Sequence, residues 1–212
     1  MKKMKSCIAP SEIKPAKPAE FIGGAAKVGT ILAAKAARIA DGTGNLKALL
    51  YGPPGVGKTA TANMVAKICA GTTWNIESIN GRSVNIELVR EWQRQSHFTS
   101  MYGGCTVKLV DELDTCPAAA QDLLLTFLDG MKPGWVFIGT SNLDISQLTP
   151  RLQTRLQTFK VEAPTTSQIV GFLKNICPTV RETIANQIAV GSGGNVRAAL
   201  LDLETWQDAQ LA

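Results

Sequence analysis

Apolar positions along this 212-residue chain follow two different periods. Residues 24–40, GAAKVGTILAAKAARIA, place Val28, Ile31, Leu32, Ala36 and Ile39 at helical spacing, and DGTGN then stops the helix. Five short apolar runs follow, each the length of a buried strand: Leu46–Tyr51, Thr73–Ile79, Thr106–Val110, Trp135–Thr140 and Thr158–Val161. Helical patterns over Lys58–Ala70, Val84–Thr99 and Pro117–Leu128 separate most of them. Strands alternating with helices predict a five-stranded parallel sheet with helices on both faces, an α/β fold built as an αβα sandwich.

After Pro164 the strand runs cease. The remainder reads as three helices broken at Cys177-Pro178 and at GSGGN. The predicted organisation is therefore a leader over residues 1–20, an αβα domain over 21–163, and a small all-helical domain over 164–212.

Composition narrows the class. Hydrophobic residues make up 45% and charged residues 18%, which excludes an extended disordered or collagenous chain. Lys and Arg number 22 against 17 Asp and Glu, for a net charge of +5. Part of that excess sits in the leader, at Lys2, Lys3, Lys5, Lys14 and Lys17, where Pro10, Pro15 and Pro18 interrupt any continuous stripe. The leader is expected to be a solvated tail. No run of about eighteen apolar residues appears, and Pro, Ser and Glu stand where a signal peptide has its apolar centre, so a cytoplasmic protein is expected. The five cysteines are an odd count without a CxxC pair, and His97 is the one histidine. Scattered thiols are expected rather than a zinc site or a disulfide framework.

The chemistry begins where the first strand ends. Gly52-Pro53-Pro54-Gly55-Val56-Gly57-Lys58-Thr59 is GxxxxGK[ST] between a strand and a helix, the context that a phosphate-binding loop requires. Its glycines let the backbone N–H groups of residues 55–60, Gly55 to Ala60, turn toward phosphate, and the helix N-terminus adds a positive end. Lys58 would be the point charge on the β and γ phosphates of ATP, and Thr59 a Mg2+ ligand. The strand Thr106–Val110 runs into Asp111-Glu112, adjacent carboxylates that leave a strand end in different directions. Asp111 can join the magnesium shell while Glu112 acts as general base on the attacking water. The fourth strand runs into Ser141-Asn142, whose neutral amide can orient that water.

Together these motifs resemble the AAA+ ATPases, and most closely the clamp-loader clade: replication factor C small subunits and bacterial DNA polymerase III clamp-loader subunits. The resemblance spans roughly residues 15–208. Phe21-Ile22-Gly23-Gly24 resembles the family's adenine-contacting box, which implies Ile22 and Gly23, with Pro54, as nucleotide contacts. Asp111-Glu112-Leu113-Asp114 resembles its DExD box. Leu148-Thr149-Pro150-Arg151-Leu152-Gln153-Thr154-Arg155 resembles the segment that carries an arginine finger, which implies Arg155 as the group supplied to a neighbouring subunit, with Arg151 as understudy. Gly194-Asn195-Val196-Arg197 resembles the lid motif whose arginine senses nucleotide in its own chain, so Arg197 is implied there; Ile169 could pack on the base, but a plain core role is expected of it.

The resemblance further implies self-association into a ring or spiral, action on DNA, and a replication or recombination protein as partner. Arg82, Ser83, and Lys108 or Thr115 are the candidate DNA contacts. No collar domain of the clamp-loader kind is expected, because the chain ends with the lid, and only about twenty residues separate Asp114 from Trp135, which leaves no room for the hairpin of Holliday-junction motors. The competing reading is a protein-remodelling chaperone without nucleic acid, for which Met101-Tyr102-Gly103-Gly104 is the candidate pore loop.

Overall fold

Strands β1 (Leu46–Tyr51), β2 (Ile76–Asn80), β3 (Thr106–Asp111), β4 (Trp135–Ser141) and β5 (Gln157–Lys160) pair in parallel in the order β2-β3-β4-β1-β5. The computed structural model describes residues 13–98, 100, 103–147 and 149–211. Within them lie eight α-helices: α1 (Gly23–Ile39), α2 (Lys58–Ala70), α3 (Ile86–Gln95), α4 (Ala118–Asp129), α5 (Pro150–Arg155), α6 (Thr166–Ile176), α7 (Glu182–Gly191) and α8 (Val196–Leu211). The α/β class and the five-stranded parallel sheet read from the sequence are both present.

Side chains alternate across the sheet, so each strand feeds two cores. Ala48, Leu50, Val107, Leu109, Val136 and Ile138 pack with α1 and α2, while Leu49, Val110, Trp135 and Phe137 pack with α3, α4 and Leu152 of α5. Burial on both faces is why the strands read as unbroken apolar runs rather than as alternation. Each fully buried Leu or Val contributes about 1.5–3 kcal/mol. A third cluster, of Ile169, Leu173, Val180, Ala185, Ala189, Ala199 and Leu203, lies among α6, α7 and α8.

Several expectations shift. Thr73–Asn75 forms a 3-10 turn rather than the start of a strand, because the buried Asn75 amide donates to the carbonyls of Ala70 (3.1 Å) and Gly103 (2.7 Å). Helix α3 is shorter than Val84–Thr99: its N-cap is Asn85, whose side chain accepts from Leu88 N at 2.8 Å. Helix α5 emerges from a segment read without structure, with Pro150 in its first turn. The described part of the leader is not a solvated tail. Pro18–Glu20 forms a 3-10 turn closed by the Glu20 carboxylate on Ala16 N (2.7 Å), and Pro18 lies against Gly29 of α1. Cys69, Cys105 and Cys116 are buried free thiols; burial pushes the first up to about 12 and the third up to about 11. Cys177 is disulfide-bonded, which departs from the expectation of free thiols throughout.

Lys108 is corrected as a DNA contact. It is 3% exposed on the inner face of β3, donates to Glu77 (2.5 Å) and Gln95 (2.9 Å), and lies over the rings of Trp92 and Trp135 at 5.6 and 5.4 Å. A side chain locked there cannot reach a duplex.

Candidate nucleotide site

The cavity opens at the carboxyl ends of β1, β3 and β4, the position where parallel sheets hold their ligands. It measures about 350 Å3. Leaving β1, the chain passes Gly52, where a Cβ would stand 2.4 Å from the Val161 carbonyl, and reaches Gly57 at φ 97°. Both positions require glycine. Gly57 caps α2 without any side-chain acceptor, so the first N–H groups of that helix face the cavity with only backbone around them. Pro54, Gly55, Val56, Gly57, Lys58, Thr59 and Ala60 all line it.

Lys58 Nζ donates to the carbonyls of Gly52 (2.9 Å) and Pro53 (2.6 Å) and to Asn142 Oδ1 (2.9 Å). Burial lowers its pKa from the ordinary 10.5, Asp111 and Asp114 oppose that shift, and the Arg197 guanidinium adds to it. Three neutral acceptors hold an ammonium that a phosphate would satisfy better. Thr59 Oγ1 donates to Asp111 Oδ1 at 2.8 Å, and the Thr140 hydroxyl donates to the same oxygen. A hydroxyl beside one carboxylate at the end of an anion cradle fits the ligand habit of Mg2+, which takes one or two protein oxygens and completes its shell with phosphates and water.

Glu112 stands in the left-handed region at φ 55°, ψ 51°, the single non-glycine residue with positive φ among the described residues. Such a conformation costs about 1–3 kcal/mol and persists only when its surroundings enforce it. Here they do. Its N–H donates to Thr140 Oγ1 (3.1 Å), its carbonyl accepts from Thr115 Oγ1 (2.8 Å), and Oε2 accepts from Asn80 Nδ2 (3.1 Å). Thr115, like Lys108, is thereby engaged within the chain. Arg82 and Ser83 remain exposed beside Asn80.

The helical segment closes the cavity from the other side. Arg197, in the first turn of α8, lines it and has no ion pair among the described residues. The carbonyl of Gly55 accepts from Val196 N (3.0 Å) and Arg197 N (3.3 Å), and Asn195 Oδ1 accepts from Ala198 N (3.0 Å). Helix α8 thus begins on the phosphate-binding loop itself. Ile13, Pro15, Ile22, Phe172 and Leu200 supply an apolar end suited to a flat base.

One expected contact is absent from the wall. Gly23 faces Pro164, 2.8 Å from where a Cβ would be, and that close approach requires glycine there. Ile169 is fully buried in the helical core, in the core role expected of it, and Phe172, one helical turn on, lines the cavity. Arg155 and Arg151 also lie off their own cavity: Arg155 Nε meets Asp129, and Arg151 meets Asp122 at 3.4 Å. Asn80 and Thr140 were missed by sequence reasoning. The signal for both was a polar residue at a strand end, in register with or beside β3.

The model of the ATPase family associated with various cellular activities (AAA) matches residues 48–164. The chain is 29% identical over 170 residues to a replication factor C small subunit of Archaeoglobus fulgidus, covering 76% of this chain and 53% of that one. It is 26% identical over 169 residues to replication-associated recombination protein A of Bacillus subtilis, covering 74% and 38%. It therefore spans about half, or less, of the relatives it matches. In fold it is similar to a RuvB variant of Thermotoga maritima, with a TM-score of 0.74 at 20% identity over 92% of this chain and 66% of that one. The family match covers the phosphate-binding loop, the paired carboxylates and the Asn142 strand end, and on it the chain belongs to the AAA family of ATPases.

Proposed function

We propose that this ATPase is magnesium-dependent, assembles into a ring or spiral through its nucleotide interface, and loads or remodels a replication or recombination component on DNA. The observation that carries the reading is the separation of its arginines: Arg197 lines the chain's own cavity, while Arg155 lies outside it. A cavity lined by one arginine of its own chain, with a second arginine facing elsewhere, suits a site completed by another copy. DNA as the setting is supported by the names of the relatives, a replication factor and a replication-associated recombination protein, and by the exposed Arg82 and Ser83. We propose further that Pro164 divides the nucleotide-binding unit from the lid.

In this reading Lys58 exchanges the Gly52 and Pro53 carbonyls for the β and γ phosphates. Thr59 and Asp111 would hold magnesium, which would supply neutralising charge to those phosphates. Glu112 accepts the proton of the attacking water, a role worth about 10²–10⁴-fold in rate. Asn142, already on Lys58 Nζ, orients that water without adding charge. Arg197 meets the phosphates from the lid, and Arg155 stabilises the transferred phosphoryl group of a neighbour.

The test is steady-state ATPase activity with and without magnesium, alone and with single-stranded, duplex and primer-template DNA, with solution mass recorded in a nonhydrolysable ATP analogue. Stimulation by DNA together with nucleotide-dependent assembly is expected. Assembly with turnover indifferent to every DNA would move the reading to a protein-remodelling chaperone. The pore-loop candidate of that alternative includes Met101 and Tyr102, which lie outside the described residues.

A further inference from the structure

We propose that Asp129 is a positioning residue that presents Arg155 to the nucleotide of a neighbouring copy; this rests on Arg155 acting across an interface. Asp129 is the last residue of α4 and Arg155 the last of α5. An acidic group at a helix C-terminus opposes the helix dipole, and α4 has no basic residue in its last turn to relieve it. Arg155 supplies the missing cation from the adjoining helix.

The contact is made by one end of the guanidinium. Nε donates to both Asp129 oxygens, at 2.9 and 2.8 Å, and Nη1 donates to the Arg151 carbonyl at 3.1 Å. Arginine has five N–H groups. The two on Nη2 and one on Nη1 have no acceptor among the described residues, and they form the planar fork that matches phosphate. Asp129 therefore grips the stem side and leaves the recognising edge open. Arg151 differs on each count: its one ion pair, with Asp122, is 3.4 Å long, and its side chain is 74% exposed against 31% for Arg155. The structure thus separates the two candidate fingers that the sequence left paired.

A half-exposed ion pair of this kind contributes little to folding. Its effect is to remove rotamer freedom from a long side chain before the reaction, which lowers the entropic part of the barrier. Turnover should then suffer where thermal stability does not.

The experiment measures ATP turnover, ATP affinity and assembly in the full chain carrying Asp129→Ala, Asp129→Asn, Arg155→Ala or Glu112→Gln. Asp129→Ala is expected to lower kcat about tenfold with unchanged KM and assembly. Asp129→Asn, which keeps an acceptor oxygen, is expected to recover most of it. Adding Glu112→Gln subunits, whose Arg155 is intact, should restore turnover at Asp129→Ala sites. Wild-type or faster turnover by Asp129→Ala, with Arg155→Ala inactive, would overturn the role of Asp129 and leave the trans arginine standing. Failure of Glu112→Gln subunits to rescue Asp129→Ala, where they rescue Arg155→Ala, would place the defect within its own chain and overturn it as well. Full activity in Arg155→Ala would remove the reading beneath both.

Discussion

Asn80, at the end of β2, donates from Nδ2 to Glu112 Oε2 across 3.1 Å, and so holds the carboxylate of the candidate general base toward the sheet edge. Asn142 meanwhile bonds Lys58 rather than Glu112. The two groups expected to share a water are thus each engaged elsewhere. A hydrogen bond to a charged group contributes about 1.5–3 kcal/mol, less where exposed as here. Asn80→Ala should release Glu112 and raise basal turnover by a few-fold to about tenfold, with ATP affinity unchanged and no activity in the Asn80→Ala/Glu112→Gln pair. A fall in kcat would show instead that Asn80 holds Glu112 in its working position.

The loop, the carboxylate pair and Asn142 were legible because each is a short motif fixed to a strand end, and a parallel sheet brings those ends together by topology alone. The partners of those residues were not. Asn80 and Thr140 act through register between strands distant in sequence, which periodicity does not encode. Lys108 reads as a candidate DNA contact because a lysine in an apolar strand has no sequence mark of the Glu77, Trp92 and Trp135 around it. Gly23 read as a ligand contact although the close approach it permits is to Pro164. Ile13 and Pro15 were assigned to a tail, since a proline-rich leader looks the same whether it is solvated or laid along a cavity.

Lys108 should behave as a core residue. Its removal leaves a void beside two indole rings and withdraws a cation from Glu77, which keeps the Trp92 Nε1–H donor at 3.0 Å. Lys108→Ala is expected to cost about 2–4 kcal/mol in denaturant unfolding, from the cavity and the lost cation–π contacts. Lys108→Met, which refills the space, should recover part of it. Stimulation by DNA, normalised to folded protein, should be the same in both variants. A selective loss of DNA response at unchanged stability would return Lys108 to the nucleic-acid surface.

Lys58 links pH to stability and to binding with opposite signs. Burial lowers its pKa from 10.5, so in the window between its folded pKa and 10.5 the unfolded chain binds more protons than the folded one. Stability from this group is full above 10.5 and is lost as pH falls through the folded value. ATP affinity runs the other way, because only the ammonium attracts phosphate, and it should weaken on the alkaline side before a surface lysine would titrate. Melting curves and ATP titrations followed up the alkaline range to 10.5 check both. Subtracting the stability profile of Lys58→Met isolates the lysine from other groups that titrate there, and identical profiles would show that its pKa is not lowered.

Gly55 is where the lid meets the loop, and substitution there should act on both. At φ +75° any side chain is strained, and a Cβ would lie 1.8 Å from Asn195 Oδ1. Gly55→Ala must therefore displace the residue whose side chain caps α8 through Ala198 N, and with it the Val196 and Arg197 donors to the Gly55 carbonyl. Losing an asparagine cap alone costs about 1 kcal/mol, so Asn195→Ala should weaken ATP binding by less than about tenfold. Gly55→Ala adds backbone strain and moves Arg197 off the cavity, and should weaken binding by more than tenfold. In the double variant the clash is gone and the strain remains, so its affinity should lie between the two single variants. ATP affinity measured by fluorescence titration checks the order. Equal affinity in Gly55→Ala and wild type would mean that α8 does not rest on the loop when nucleotide binds.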